Sequence, residues 1–227
     1  MRDLSKLVAL ADRGRVLAAV RPGEPGSLRV TAAAGGRTDV RVYGYIGSVW
    51  DEGGITAAGF AKELDRIGDG GIDLHLNSGG GSVFDAVAMH AALLNHPSDV
   101  VSYVDGVAAS AASFLAMAGG EVVIEKPAKM MIHDAQGLTY GGPAEHAEML
   151  ELLNELSDTI AEMYADRAGG KVADWRAAMR DTTWYSSAQA VEAGLADRVA
   201  NDSKASAPED RRSQLIRARA RVALRGA

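Results

Sequence analysis

Two serines three residues apart, Ser110 and Ser113, lie in the uncharged run "GVAASAASFLAMAGG" at Gly106–Gly120. A serine hydroxyl becomes a nucleophile only when a base takes its proton and donors bind the oxyanion that forms. Ser110 falls at the expected first turn of a helix starting after Gly106, where unpaired backbone N–H groups stabilise a negative charge developing beside it. Ser113, one turn further in, reads as small-residue packing. The run therefore allows two readings, a helix built for close packing or a helix that presents a serine to a substrate backbone. It contains no G-x-S-x-G elbow.

Of the five histidines, His133 is placed best to act as a base, because it ends the apolar run "KMMIH" just as the chain enters "DAQGLTYGG". An imidazole at the end of a rigid strand can project into a cleft. His75, His90, His96 and His146 read as surface or half-buried residues. No histidine pair has the spacing of a zinc protease, and no metal cluster is visible. The three glycines of "LNSGGGSV" at Leu76–Val83 stand between a strand and a helix, where sites gather in open α/β sheets. They read either as a tight turn or as a loop that aims N–H groups at an anion. The run lacks the lysine of a P-loop and the spacing of a dinucleotide fingerprint.

The elements that must position these residues alternate. "VRVYGYIG" is a strand, "TAAGFAKELDRI" a helix and "GIDLHLN" a strand with Ile72, Leu74 and Leu76 on one face. "SVFDAVAMHAALLNH" is a helix closed before Pro97, "DVVSYVDG" a strand, and the serine run the next helix. Two short strands flank Pro127 in "EVVIEKPAKMMIHD". A long helix follows in "GPAEHAEMLELLNELSDTIAEMYADRAGG", between glycines. Along it Met149, Leu153, Leu156, Ile160 and Met163 form a seam at alternating spacings of four and three. The alternation predicts an α/β fold with right-handed parallel crossovers.

The totals bound the rest. The 227 residues are 47% hydrophobic and 24% charged, enough for one large domain with a substantial core. A net charge of −6 and a pI near 5.4 give no footprint for nucleic acid or an anionic membrane. The absence of cysteine excludes disulfides, thiolate metal sites and a cysteine nucleophile. No stretch reads as a signal peptide or membrane span, so the expected compartment is the cytoplasm. Residues 1–37 end in the Gly/Pro/Ala-rich "RPGEPGSLRVTAAAGGRT" and read as an appendage and linker, residues 38–200 as the compact domain, and residues 201–227 as a basic tail.

The order "NSGGGSV", "GVAASAASFLAMAGG", "MMIHDAQG", long helix, "MRDTTWYSSAQAVEAGLADRV" resembles the Clp-type serine peptidases (the ClpP family), most closely their phage and prophage head-maturation branch. The likeness spans about Val40 to Val199. It implies a crotonase-like spiral of β-β-α units, with the long helix as a protruding handle through which rings stack face to face. The rings would be homo-oligomeric and heptameric, and the seam would then lie between them. It places Ser110 on the family nucleophile, His133 on the base, and the oxyanion hole at the backbone N–H groups of Gly80 and Ala111. Gly79 stands where the family usually has proline.

For the third triad member the resemblance offers Thr183, where the processive enzymes carry aspartate, and Asp181 two positions earlier. The implied activity is a serine endopeptidase needing no cofactor. It would act on polypeptides either with an AAA+ unfoldase or without ATP, for example in maturing phage capsid or scaffold proteins. The alternatives are a catalytically silent ring subunit or assembly scaffold, motivated by the missing aspartate and the basic tail, and a crotonase-like acyl-CoA enzyme, which explains neither Ser110 nor His133.

Overall fold

The computed structural model describes residues 26–48, 53–68 and 70–200. Strands of alternating polarity build its centre. Ile72, Leu74 and Leu76 are fully buried along β3 (Ile72–Gly81), and Val40 and Val42 are buried along β2 (Thr38–Ile46). The other strands are β1 (Ser27–Ala32), β4 (Val100–Ala109), β5 (Glu121–Ile124), β6 (Lys129–Ile132), β7 (Thr183–Ser186) and β8 (Arg198–Val199). Among the described residues they form one eight-stranded sheet in the order β1-β2-β3-β4-β5-β8, with β6 joined to β4 and β7 to β6. The pairs from β2 onwards are parallel, as the crossover helices require, except for the antiparallel pair β6–β7; β1 also runs antiparallel to β2. This is the mixed α/β class that the alternation predicted.

The helices are α1 (Ala57–Leu64), α2 (Val83–Asn95), α3 (Ala111–Ala116), α4 (Pro143–Ala168), α5 (Val172–Arg180) and α6 (Ser187–Glu192). Each long helix starts where its sequence says it should. The Ser82 hydroxyl caps α2 by accepting from the Asp85 N–H, and α4 begins with Pro143 in its first turn while Glu145 reaches back to the Gly142 N–H at 2.7 Å. Gly169, at φ 82°, ends the 26-residue α4.

Three features depart from the sequence reading. Ser27–Ala32, within the stretch read as appendage and linker, is an edge strand of the sheet. The glycine run is the end of β3 and not a separate loop, since Gly80 and Gly81 pair with Tyr45 and Ile46. The serine run begins as strand: β4 continues to Ala109, because Val107–Ala109 pair with Lys129–Met131 of β6, and α3 starts only at Ala111. Sheet pairing there overrides the helix preference of the alanines. Along the seam of α4, Ile160 is buried while Met149, Leu153, Leu156 and Met163 are half-buried. Ile160 is buried with Ala161 and Tyr164 in the core, and the Gly137 backbone closes on Met149 and Leu153. The apolar side chains left exposed in this region are Leu138, Tyr140, Leu150 and Leu152. Residues 1–25 and the basic tail, residues 201–227, lie outside the described residues.

Candidate active site

Ser110 stands at the junction of β4 and α3, with φ 54° and ψ −126°. L-residues avoid this region, at a cost of about 1–3 kcal/mol, and they keep it only where the surroundings impose it. Here they do so from both sides. The Ser110 N–H donates to the Met131 carbonyl on β6 at 2.9 Å, and the Ser110 carbonyl accepts from the Ser113 N–H at 2.9 Å. A serine at a helix N-cap ordinarily turns its hydroxyl onto an amide of the first turn, and Ser110 makes no such bond. Its Oγ lies instead 2.7 Å from His133 Nε2.

His133 follows the last residue of β6, so the β4–β6 pairing that holds Ser110 also sets the position of the imidazole. Beneath the pair, Trp184 packs on Val107, Ala109 and Met131, a small apolar cluster separate from the main core. The loop after His133 is tied to two helices. The Ala135 N–H donates to Ser157 Oγ of α4 at 2.9 Å, and the Asp134 carboxylate pairs with the guanidinium of Arg176 on α5. Arg176, itself buried, also reaches Asp158 at 2.6 Å and Asn154 at 3.3 Å on α4.

The glycines of β3 come up against the serine. A Cβ on Gly80 would stand 2.7 Å from the Ser110 Cβ and the Ala109 carbonyl and 2.8 Å from the Ala111 nitrogen, at a backbone φ of 96°. Only glycine allows that approach. The Gly80 N–H, one of the two amides that the resemblance assigned to the oxyanion hole, already donates to Ser78 Oγ at 3.0 Å. Ser78, fully buried, donates in turn to the Gly44 carbonyl at 2.6 Å, where β2 and β3 shift register. Its neighbour Gly81 pairs with Ile46, whose carbonyl accepts from the Ser82 N–H at 2.8 Å. Of the two glycines it is Gly80 that stands against the serine, whereas Gly81, at φ 149°, closes on the Ile46 backbone of β2. Because α3 has only six residues, the Ala111 end offers individual N–H groups and little macrodipole.

The two candidates for the third member sit differently. Thr183 opens β7 directly across from Ile132, the residue before His133, and its hydroxyl donates to the Ala178 carbonyl at 2.7 Å. Asp181 is exposed at the C-terminal end of α5. Thr182 between them has φ 52°, a strained turn that the sequence reading did not single out.

Ser113 is not inert filling. Its hydroxyl donates to the Ser110 carbonyl at 2.5 Å and lies 2.7 Å from the hydroxyl of Tyr164 on α4. Both residues are buried, and burial raises the Tyr164 pKa above its ordinary value, keeping the phenol a neutral donor. Neither Ser78, Tyr164 nor Arg176 was identifiable from the sequence, since each acts through a partner remote in the chain.

The other histidines are engaged elsewhere or apart from this site. His75 lies 3.1 Å from Asp105 and stacks on Tyr103, His96 Nδ1 accepts from the Ser98 N–H, His90 is half-buried in α2, and His146 is exposed. Among the described residues no group of three or more histidine, aspartate or glutamate side chains could hold a metal ion, and no helix is long and apolar enough to cross a membrane.

A strained serine, hydrogen-bonded to a strand-end histidine beside a glycine strand and a helix N-terminus, is an arrangement for acyl transfer. Comparison with known proteins gives it a family. The model of a family described as Clp protease matches residues 64–203. The chain belongs to the Clp protease family. Among curated members, the ATP-dependent Clp protease proteolytic subunit of Chlorella vulgaris is 29% identical over 136 residues, 59% of this chain and 68% of that protein. Proteolytic subunit 1 of Corynebacterium jeikeium is 31% identical over 137 residues, 60% of this chain and 73% of the relative. For subunit 1 of Mycobacterium tuberculosis the figure is 28% over 130 residues, 56% of this chain and 65% of the relative, so the match covers less than two thirds of the mycobacterial subunit. The family match includes Ser110, His133 and the glycine strand, and the mixed α/β sheet is consistent with the Clp protease fold.

Proposed function

We propose that this chain is a serine endopeptidase in which Ser110 attacks a peptide carbonyl and His133 Nε2 takes its proton. The observation that carries this reading is the 2.7 Å contact between Ser110 Oγ and His133 Nε2, made by a serine that forgoes its helix cap. The tetrahedral oxyanion is bound by the Ala111 N–H, and the second donor is the Gly80 N–H, which donates to Ser78 in the free chain, because Gly80 is the glycine that stands against the serine. His133 returns the proton to the leaving amine, and water, activated by the same imidazole, hydrolyses the acyl-enzyme.

A neutral His133 that accepts from Ser110 at Nε2 carries its proton on Nδ1 and needs an acceptor there. We assign that part to Thr183 in preference to Asp181. β7 holds the Thr183 backbone across from Ile132, the residue before His133, and with its proton on the Ala178 carbonyl the Thr183 oxygen can accept from the imidazole in the substrate complex. A neutral oxygen orients the imidazole but stabilises the imidazolium less than a carboxylate does, so acylation is slower than in a triad with aspartate.

The substrate lies extended along the glycine strand, held through its backbone. Homo-oligomeric rings, heptameric and stacked through the exposed half of α4, would enclose it. Leu138, Tyr140, Leu150 and Leu152 supply the apolar surface for that contact. The names of the relatives fit a chamber served by an AAA+ unfoldase, while the likeness to the head-maturation branch fits capsid or scaffold substrates cut without one. A catalytically silent subunit gives no reason for the strain at Ser110. The test is a fluorophosphonate with mass mapping: wild type labelled at Ser110 and Ser110→Ala unlabelled supports the reading, and equal labelling of the two refutes it.

A further inference from the structure

Ser113 back-bonds to a carbonyl three residues earlier, which buried helical serines often do, and Tyr164 needs a partner for its buried hydroxyl. Those habits explain a bond. What sets this bond apart is its acceptor, the carbonyl of Ser110, whose own backbone is held at a positive φ.

That carbonyl belongs to the peptide linking Ser110 to Ala111. A trans peptide is planar, with its C=O and N–H pointing in opposite directions, so whatever holds the oxygen aims the hydrogen. The Ser110 oxygen is held by two donors of one residue, the Ser113 N–H at 2.9 Å and the Ser113 hydroxyl at 2.5 Å. Having given its only proton to the carbonyl, the Ser113 oxygen accepts from the Tyr164 hydroxyl at 2.7 Å. The chain Tyr164 to Ser113 to Ser110 C=O runs through buried groups, where each bond polarises the next.

We infer that Ser113 and Tyr164 are a positioning pair for the oxyanion hole, fixing the Ser110–Ala111 peptide plane so that the Ala111 N–H points at the developing oxyanion. Neither touches the substrate. The inference rests on the peptidase reading above and adds to it the part of the fold that sets the oxyanion donor. An alanine at 113 would pack equally well but leave the peptide held by one bond and the Tyr164 hydroxyl buried without its acceptor.

The experiment measures the rate of Ser110 acylation by a fluorophosphonate, together with kcat and KM on a fluorogenic peptide and the thermal midpoint. The proteins are the full-length wild type, Ser113→Ala, Tyr164→Phe, the double variant and Val40→Ala, a core truncation on β2. Ser113→Ala lowers acylation and kcat about tenfold with KM unchanged, less than outright loss of an oxyanion donor, since Ala111 stays in place but is aimed less well. Tyr164→Phe, which keeps the ring and its packing, lowers them about threefold. The double variant is no slower than Ser113→Ala, because Tyr164 acts through Ser113. Val40→Ala loses thermal stability and acylates at the wild-type rate. A wild-type acylation rate in Ser113→Ala, whatever its midpoint, overturns the inference alone, as does a double variant slower by the product of the single effects. Absence of Ser110 labelling in folded wild type overturns the peptidase reading and this inference with it.

Discussion

The N–H of Ser110 donates to the carbonyl of Met131 at 2.9 Å, two residues before His133. That backbone bond belongs to the short ladder in which Val107–Ala109 pair with Lys129–Met131, so the separation of serine and histidine is set by sheet register and not by side-chain flexibility. Truncating the imidazole should therefore remove the base without moving the serine. His133→Ala is expected to lower fluorophosphonate labelling and peptidase turnover by roughly a thousandfold or more, with far-UV circular dichroism unchanged. A variant that keeps more than a tenth of wild-type turnover would show that another group takes the proton.

Thr183 and Asp181 make opposite predictions. Thr183→Val keeps the shape of the side chain but removes the oxygen proposed to accept from His133 and the bond to the Ala178 carbonyl. It should lower kcat about tenfold and cost about 1 kcal/mol of stability for the lost hydrogen bond. Asp181→Asn, altering an exposed side chain at a helix end, should leave kcat within about twofold. Steady-state kinetics of the two variants decides, and the reverse order would assign the imidazole to Asp181.

Ser78 controls the glycine strand from beneath. Its hydroxyl joins the Gly44 carbonyl at 2.6 Å to the Gly80 N–H at 3.0 Å across the register shift of β2 and β3. Ser78→Ala leaves the buried Gly80 N–H and the half-buried Gly44 carbonyl without that partner and should destabilise the fold by about 1–3 kcal/mol in urea unfolding. Gly80→Ala should be worse and also inactive, because its Cβ meets backbone atoms and Ser110 at 2.7–2.8 Å. Wild-type stability in Gly80→Ala would contradict this packing.

What was legible in the sequence was local. The burial of Ile72, Leu74 and Leu76 follows from alternation, and the ends of α4 from Pro143 and the glycines after Ala168. The start of α3 was misplaced because Val107–Ala109 take their strand conformation from β6, a partner that no window around the alanines contains. The same limit applies to the site. Ser110 and His133 each stood out by position, but their pairing came from resemblance, since 23 residues of chain separate them. Ser113 read as packing because the hydroxyl that gives it another role, that of Tyr164, lies 51 residues away.

Arg176 ties the chain after His133 to both neighbouring helices, through Asp134 on one side and Asp158 and Asn154 on the other. Removing a buried partner costs more than such a pair contributes, because it leaves charge behind, although the exposure of Asp158 limits that cost. Arg176→Met should destabilise by about 1–3 kcal/mol and speed hydrogen exchange at the Ala135 amide, which the loop holds against Ser157. Unchanged exchange there would mean that Ser157 alone fixes the loop.

His90 gives the fold an acid limit. Burial in α2 lowers its pKa to about 4 from the ordinary 6.5, so the folded state resists a proton that the unfolded state accepts. Between those values the unfolded chain binds more protons, and stability must rise with pH. At pH above about 6.5 the ring is neutral in both states and the effect vanishes. As pH falls towards 4 the loss grows to on the order of 2 kcal/mol, allowing for the solvent that still reaches the ring. His75 has the opposite sign. Its hydrogen bond to Asp105 outweighs desolvation and raises its pKa, so its contribution is full below about 6.5 and fades as pH rises through the folded value. Urea unfolding of His90→Leu across pH 4 to 8 separates the two, since the variant should lose the acid slope and keep the decline at higher pH; an acid slope as steep as that of the wild type would place the proton elsewhere.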